Sequence, residues 1–260
     1  ALVLGFVLGR LGKKVETVNR FFTQFNTVMM TMINLVLKVA PVGIFCLIVR
    51  TFANLGIDGM LPMLKFILTV YGGLFLQLFV VYLILFVLFT RLNPLRFLRK
   101  ILPVMLFAFS TSSSNATIPL NLETLERKCG VDEKVASFTI PLGATINMDG
   151  TAMMQGVAVI FIAQAFGIEL SLAALVTVVI TAVTASIGTA GVPGVGTIML
   201  AMVFESIGLP AEGVAMIMGV DRILDMGRTA MNVTGDAVVT MCIASLTKTL
   251  DRSVFKNADS

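Results

Sequence analysis

The chain has 260 residues, of which 57% are hydrophobic and 13% are charged. This charged fraction is about half that of soluble domains, so the composition excludes an ordinary soluble protein and predicts an integral membrane protein. The apolar runs are continuous and about 20 residues long, which favours membrane-spanning helices over barrel strands. The net charge of +4 comes from basic residues in predicted loops and does not indicate nucleic-acid binding. The sequence has no histidine, which excludes imidazole acid–base chemistry and histidine metal ligands.

The first part of the chain, residues 1–90, is predicted to contain partial scaffold and peripheral spans. Residues 1–9 are apolar but too short to cross a membrane, so we expect a fragment whose first spans are missing. After a basic, cytoplasmic cluster we expect a long helix, an outer loop at 53–60 and a strong span over 62–90.

Residues 91–250 are predicted to form a transport core, which begins with a hairpin over 95–128. Basic clusters flank this segment on both sides, and only a segment that enters the membrane and returns keeps both clusters in the cytoplasm. The hydroxyl-rich run STSSSNAT in its middle is typical of a hairpin tip in a polar cavity. Residues 137–167 are long enough to cross the membrane, but NMDG at 147–150 is expected to break that span.

A second hairpin is predicted over residues 171–209, with TAGVPGVG as its tip and no basic residue in the loops at either end. It would therefore enter from outside. A polar span over 215–247 follows and ends in a cytoplasmic tail, residues 251–260. Two hairpin-plus-span units of opposite orientation form an inverted repeat, which is typical of secondary transporters with a site at mid-membrane. The sequence thus predicts an all-α, multi-pass membrane protein with two re-entrant hairpins and broken transmembrane helices.

The last span carries a polar stripe on one face. Its members are Asp221, Asp225, Arg228, Asn232 and Asp236. At about 100° per residue, these side chains fall within an arc of about 80°. Ionisable groups at membrane depth are costly and normally face a bundle interior or a water-filled path. The stripe therefore indicates a binding site, and buried ion pairs that only fix helix packing are the structural alternative.

Three further motifs offer ligand chemistry. Hydroxyls and amides of Ser110–Thr117 would suit a carboxylate at a half-helix end, whereas a catalytic serine would lack an activating base. Oxygens of Asn147–Thr151, together with Asn232 and Asp236, would suit a cation, with a glycine kink beside a satisfied aspartate as the alternative. The glycine-rich segment Thr189–Gly196 would suit a movable tip or close helix packing.

The chain closely resembles the dicarboxylate/amino acid:cation symporter family, the glutamate transporter homologues, in four segments: SSSNATIP, PLGATINMDGT, ASIGTAGVPGVG and DMGRTAMNVTGD. The resemblance is strong over residues 95–247 and looser over 17–90. It implies the glutamate-transporter-homologue fold in the plasma (inner) membrane, with a transport domain that moves against a trimerisation scaffold in an elevator motion. It also implies a homotrimer in the lipid bilayer, an amino acid substrate and sodium as the coupling ion, with a proton as the alternative.

The resemblance also implies two sets of site residues. The substrate set is Ser113, Ser114, Thr151, Val192, Gly196, Asp225, Arg228, Thr229 and Asn232. In it, Asp225 would hold the amino group, Arg228 a side-chain carboxylate, and the two serines the α-carboxylate. The sodium set is Gly143, Thr145, Asn147, Met148, Asp149, Ser186, Ile187, Thr189, Asn232 and Asp236. Further ligands beside Asp149 are expected on a span outside this sequence.

We therefore predict a symporter for acidic amino acids such as glutamate or aspartate. Carriers of neutral amino acids or C4-dicarboxylates are the alternatives within the family; a dicarboxylate has no ammonium for Asp225, and a neutral side chain leaves Arg228 unpaired. An intramembrane aspartyl protease with Asp149 and Asp236 as its dyad is an alternative from another class, but the arginine would have no role in it. A pure ion channel would differ in showing current without substrate.

Overall fold

In the computed structural model the chain is helical through almost all of the residues that the structure describes, which are 2–187, 189, 191–210 and 212–256. Residues 188 and 190 of the predicted outer tip and 257–260 of the predicted tail therefore lie outside the described part. The chain divides into two compact units, Ala1–Arg50 and Thr51–Ser260.

The first unit contains helix α1 (Leu2–Leu11), a 3-10 turn (Gly12–Val15) and the first part of helix α2 (Glu16–Leu76). Helix α2 continues through residues 53–60, so the predicted outer loop is wrong. Two glycines in that stretch each disfavour helix by about 1 kcal/mol relative to alanine. This penalty does not end a helix that continues on both sides and contains no proline at 53–60.

The second unit begins with an apolar span, Leu61–Thr90, that includes the end of α2, a π-helical stretch (Gln77–Tyr82) and α3 (Leu83–Thr90). Its buried side chains are Met63, Phe66, Val70, Leu74, Leu78, Tyr82, Phe86 and Thr90. A spacing of four residues drifts by about 40° per step around an α-helix. Because π-helical hydrogen bonds run from i to i+5, the π stretch takes up part of this drift. The predicted apolar span at 62–90 is confirmed as a helix of membrane-spanning length and composition.

The first predicted hairpin consists of α4 (Pro94–Thr111) and α5 (Ser114–Arg127), which pack against each other. Ser112, with φ +52°, ends α4, and the Ser113 hydroxyl caps α5 by accepting a hydrogen bond from the Ala116 amide. A residue in the left-handed region commonly ends a helix, and serine is a favoured N-cap. The serine-rich sequence therefore reverses the chain where the tip was expected.

The remaining helices are α6 (Glu133–Ile146), α7 (Asp149–Ala165), α8 (Leu172–Ile187), α9 (Val195–Ser206), α10 (Glu212–Met218), α11 (Asp221–Leu246) and α12 (Arg252–Lys256). The predicted break lies between α6 and α7, at Asn147 and Met148. Helices α8 and α9 contact each other, as expected for the second hairpin. The last span differs from the prediction, because α11 starts at Asp221 and a turn containing Gly219 separates it from α10. Glycine disfavours helix, which explains the later start.

Helix α11 lies at the centre of the second unit and packs against α3, α4, α5, α6 and α7. Three segments of the described chain are long and apolar enough to cross a membrane: Leu61–Thr90, Glu133–Ala165 and Asp221–Leu246. Within their most apolar stretches, 22%, 50% and 78% of the residues are buried, respectively. The polar stripe is therefore on the most enclosed helix, which places its charges inside the protein.

The C-terminal segment packs against the base of the first hairpin. The Asp251 amide donates to the Gly130 carbonyl at 2.7 Å, and Phe255 is only 1% exposed. The centroid of the Phe255 ring lies 6.3 Å from that of the Phe86 ring and 5.4 Å from the Lys100 ammonium. The predicted tail is therefore packed as far as the end of α12.

Candidate substrate and cation site

The two hairpin tips are hydrogen-bonded to each other. The Ser113 hydroxyl donates to the Gly191 carbonyl at 2.9 Å, and the Asn115 amide donates to the same oxygen at 3.2 Å. Ser112, Ser113 and Ser114 are all buried. One of the two serines that were predicted to hold a carboxylate, Ser113, is thus bonded to a backbone carbonyl of the outer tip.

Arg228 is buried beside two carboxylates of its own helix and is 2% exposed. Its Nε lies 2.9 Å from Oδ1 of Asp225, and its Nη1 lies 3.5 Å from Oδ1 of Asp221. Asp221 also accepts a hydrogen bond from the Thr197 hydroxyl. Among the described residues Nη1 of Arg228 makes no hydrogen bond, so a buried donor is available for a ligand.

The outer tip approaches these charges closely. The Gly194 amide donates to Oδ2 of Asp225 at 2.9 Å. A Cβ at position 196 would lie 2.8 Å from Cζ of Arg228 and 3.0 Å from Cγ2 of Thr151. Only glycine permits this approach, because the tip backbone lies directly against the guanidinium.

A small pocket with a cavity volume of about 10 Å³ lies between the tips, α7 and α11. Its wall contains all of the predicted substrate residues except Ser113, which bonds to the wall residue Gly191. The structure thus brings together residues from four separate segments of the chain. They include a cation, a carboxylate and several hydroxyls, which is the chemistry that an amino acid requires.

Asn232 joins this pocket to the break between α6 and α7. Its amide nitrogen lies 3.2 Å from both the Thr151 hydroxyl and the Met148 sulfur. Its amide oxygen accepts a hydrogen bond from the Gly150 amide at 2.8 Å. Asn232 therefore fixes the first turn of α7, and with it Thr151, against α11.

Two carboxylates lie on the other side of this junction. Asp236, 3% exposed, accepts a hydrogen bond from Nδ2 of Asn147 at 2.9 Å and packs against Gly143. Asp149 accepts at Oδ1 from the Gly150 amide, and at Oδ2 from the Gln77 amide and the Tyr82 hydroxyl.

These residues fit a monovalent cation. In the described part of the chain neither Asp149 nor Asp236 forms a salt bridge, and a buried carboxylate without a positive partner is costly. The surrounding carboxylate, amide and carbonyl oxygens are the ligands that hard cations prefer. The described residues contain no group of three or more acidic, histidine or cysteine side chains that could hold a metal ion. A sodium ion, when bound, would supply the charge that these carboxylates lack.

Comparison with known proteins agrees with this chemistry. The sequence model described as the sodium:dicarboxylate symporter family matches residues 1–246. The chain belongs to this family. Among its relatives, excitatory amino acid transporter 1 of Homo sapiens is 38% identical over 100% of this chain and 47% of its own length. Neutral amino acid transporter A of Bos taurus is 40% identical over 92% of this chain and 45% of its own length.

The chain spans about half the length of the curated relatives it matches. The family and these relatives are transporters and not enzymes, which leaves the aspartyl protease alternative without support. In addition, no hydrogen bond within the described residues joins Asp149 to Asp236, as a proton-sharing dyad would require. The apolar helices agree with the multi-pass membrane location of this symporter family.

Within the described residues, four of the predicted sodium ligands are not hydrogen-bonded to Asn147, Asp149, Asn232 or Asp236. They are Thr145, Ser186, Ile187 and Thr189, the last of which lines the substrate pocket. Thr145 is on the exposed face of α6 and donates to the Pro141 carbonyl of its own helix. Ser186 and Thr189 are buried at the end of α8 and bond to each other through their backbones, whereas Ile187 is 48% exposed. The second sodium site that these residues would form stays a prediction.

Sequence reasoning missed Thr197, Gln77 and Tyr82 as members of the site. The last two had a signal in the sequence, since they are polar residues within the apolar span at 62–90. A polar side chain at membrane depth is itself an indication of a functional site. Thr197 had no comparable signal, because it directly follows the hairpin tip Thr189–Gly196.

Proposed function

We propose that the protein is a secondary active symporter that couples sodium entry to the uptake of acidic amino acids such as glutamate or aspartate. The observation that carries this proposal is the buried Arg228 guanidinium beside Asp225 in a pocket bounded by two hairpin tips. A substrate with an ammonium and a second carboxylate satisfies both charges at once. The planar guanidinium fork also suits a carboxylate in a two-bond arrangement.

In this proposal the substrate replaces contacts that the outer tip makes with the pocket residues. The substrate α-carboxylate takes the place of the Gly191 carbonyl at Ser113 and Asn115. Its ammonium takes the place of the Gly194 amide at Asp225. These hydrogen bonds support the exchange, because each joins a proposed substrate-binding group to a backbone group that has the same polarity as the substrate group replacing it.

Coupling to sodium would run through Asn147 and Asn232. The Asn232 side chain holds Thr151 in the pocket, while its backbone carbonyl and Asp236 both accept from the Asn147 side chain. A cation bound at Asp236 and Asn147 therefore shares a rigid junction with the substrate wall. By linkage, an ion that tightens substrate binding must itself be bound more tightly when substrate is present. A proton on one of the carboxylates is the alternative coupling ion.

The finer architecture belongs to the same proposal. Residues 91–250 would be the transport core, with α4–α5 and α8–α9 as re-entrant hairpins, and residues 1–90 would be scaffold and peripheral spans. The core would move in an elevator motion within a homotrimer. The exposed apolar face of α8, which includes Leu172, Val179 and Ile180, supports a packed neighbour or lipid at the second hairpin.

A thermal-shift titration of the purified protein tests this function. Aspartate, glutamate, serine and succinate are compared with and without sodium. We expect aspartate or glutamate to stabilise the protein only when sodium is present, by about 2.7 kcal/mol at a ligand concentration 100-fold above Kd. Stronger stabilisation by serine or succinate would instead assign a carrier of neutral amino acids or dicarboxylates. Stabilisation that follows pH but not sodium would assign the proton.

A further inference from the structure

Two side chains of the Leu61–Thr90 span hold one oxygen of Asp149. The Gln77 amide donates to Oδ2 at 2.9 Å, and the Tyr82 hydroxyl donates to the same atom. The other oxygen, Oδ1, accepts the backbone amide of Gly150 at 3.0 Å. The carboxylate is thereby fixed in direction from the side of this span, and its remaining lone pairs have a defined orientation.

The π-helical stretch explains how two residues of one helix reach the same atom. The stretch begins at Gln77 and ends at Tyr82, five residues later. In an α-helix a separation of five residues would place the side chains about 140° apart. Hydrogen bonding from i to i+5 brings such residues to the same side, and π-helical turns are frequent at functional sites. The distortion of the helix therefore aims both donors at Asp149.

Helix α11 has a glycine, Gly235, where the Tyr82 hydroxyl and the Asn147 side chain approach it. A Cβ at Gly235 would overlap the Tyr82 hydroxyl and would lie 2.6 Å from Nδ2 of Asn147. Glycine at 235 thus lets Tyr82 reach Asp149 while Asn147 reaches Asp236. The Tyr82 hydroxyl consequently lies at the junction between the two carboxylates of the candidate cation site.

We propose that Tyr82 and Gln77 are positioning residues for this cation site, which act by orienting the Asp149 carboxylate. The inference rests on the proposed sodium coupling and adds residues from a span for which no ligand was assigned. The choice of neutral donors has a physical reason. A lysine or arginine in their place would neutralise the carboxylate and remove its need for an ion, whereas a hydroxyl and an amide fix its direction and leave its charge. Partners of this kind typically contribute 10–100-fold to metal affinity.

The test is Tyr82→Phe, which removes only the hydroxyl. The thermal stability of the purified protein is measured against sodium concentration, without substrate. We expect the sodium concentration at half-maximal stabilisation to rise about 10–100-fold. Gln77→Leu is a second variant that removes the other donor, with a rise in the same direction, and it decides the question if Tyr82→Phe does not fold.

The matched control is Tyr71→Phe, because Tyr71 is the only other tyrosine of the chain and lies on the same span. Its hydroxyl donates to the Ile223 carbonyl at 2.6 Å and touches neither carboxylate. We expect Tyr71→Phe to lower the melting temperature without moving the sodium midpoint. If Tyr82→Phe behaves like Tyr71→Phe, the inference is overturned, since the hydroxyl is then merely structural. If sodium does not stabilise the wild type, the proposed sodium coupling is refuted, and this inference, which rests on it, is refuted as well.

Discussion

Replacing Arg228 by cysteine should separate acidic from neutral substrates. The guanidinium is 2% exposed, and its hydrogen-bonding neighbour among the described residues is Asp225. Arg228→Cys removes the partner of a substrate side-chain carboxylate but leaves Asp225 for the ammonium. We therefore expect aspartate and glutamate to bind more weakly, whereas serine and alanine bind as well as before or better.

The expected magnitude follows from the burial of the ion pair. Removing one member of a buried, hydrogen-bonded charge pair costs about 2–5 kcal/mol. At about 1.4 kcal/mol per tenfold change in Kd, the lower end of that range corresponds to a loss of about 30-fold in affinity for aspartate. The empty variant should also be less stable, because Asp221 and Asp225 lose the positive charge that lies 3.5 and 2.9 Å away.

The assay is competition binding in saturating sodium, with aspartate and serine measured on both proteins. Arg228→Lys serves as the matched control, since it keeps the charge but loses the two-bond fork. It should lie between the wild type and Arg228→Cys for aspartate and should not gain serine binding. Equal losses for aspartate and serine in Arg228→Cys would show that Arg228 is structural, and the acidic substrate would no longer be supported.

Three further predictions concern other residues of the second unit. Asp236→Asn should weaken sodium binding and, through linkage, substrate binding; a variant whose substrate affinity keeps the sodium dependence of the wild type excludes Asp236 as an ion ligand. Gly196→Ala should reduce substrate affinity by at least about tenfold, since its Cβ would lie 2.8 Å from Cζ of Arg228. Gly156→Ala on α7, where a Cβ meets nothing within 4 Å, should bind normally in the same assay, and an equal effect of both variants would contradict the steric argument. Cys129, in the loop after α5, should resist maleimide at pH 8 until the protein is unfolded, because burial raises the pKa of its thiol to about 12 and the thiolate is the reactive form. Cys46 and Cys242 are replaced by serine for this test because both are more exposed, and rapid labelling of Cys129 in the folded protein would refute the prediction.

Much of the chain's local structure could be predicted from residue types alone. Serine at 112 and 113 and the NMDG segment at 147–150 interrupt helices where they were expected to do so, because such residues favour caps and turns over helix interiors. The helical spacing of the polar stripe also predicted which side chains of α11 share a face. The stretch at 53–60 was different, since its two glycines weaken a helix without specifying an alternative.

The contacts between segments could not be predicted in this way. The bond from Ser113 to Gly191 joins residues 78 positions apart, and the bond from Gln77 to Asp149 joins residues 72 positions apart. Periodicity indicates the face on which a side chain lies but not the atom that it meets. The π-helical stretch could not be predicted from the sequence either, because the apolar sequence around Gln77 is compatible with an uninterrupted α-helix.

The packing of the C-terminal segment has a consequence for the order in which the molecule is built. Phe255 and Asp251 contact the loops and helices at the base of the first hairpin, all of which leave the ribosome earlier. The Lys100 ammonium donates a hydrogen bond to the Lys128 carbonyl at 2.6 Å and also contacts the ring of Phe255. Phe255 is synthesised more than 150 residues after Lys100. Because translation proceeds at about 5–20 residues per second, this base stays open for about 7–30 seconds after the end of α4 has been synthesised. During that interval the Phe86 ring lacks the Phe255 ring that lies beside it in the finished fold.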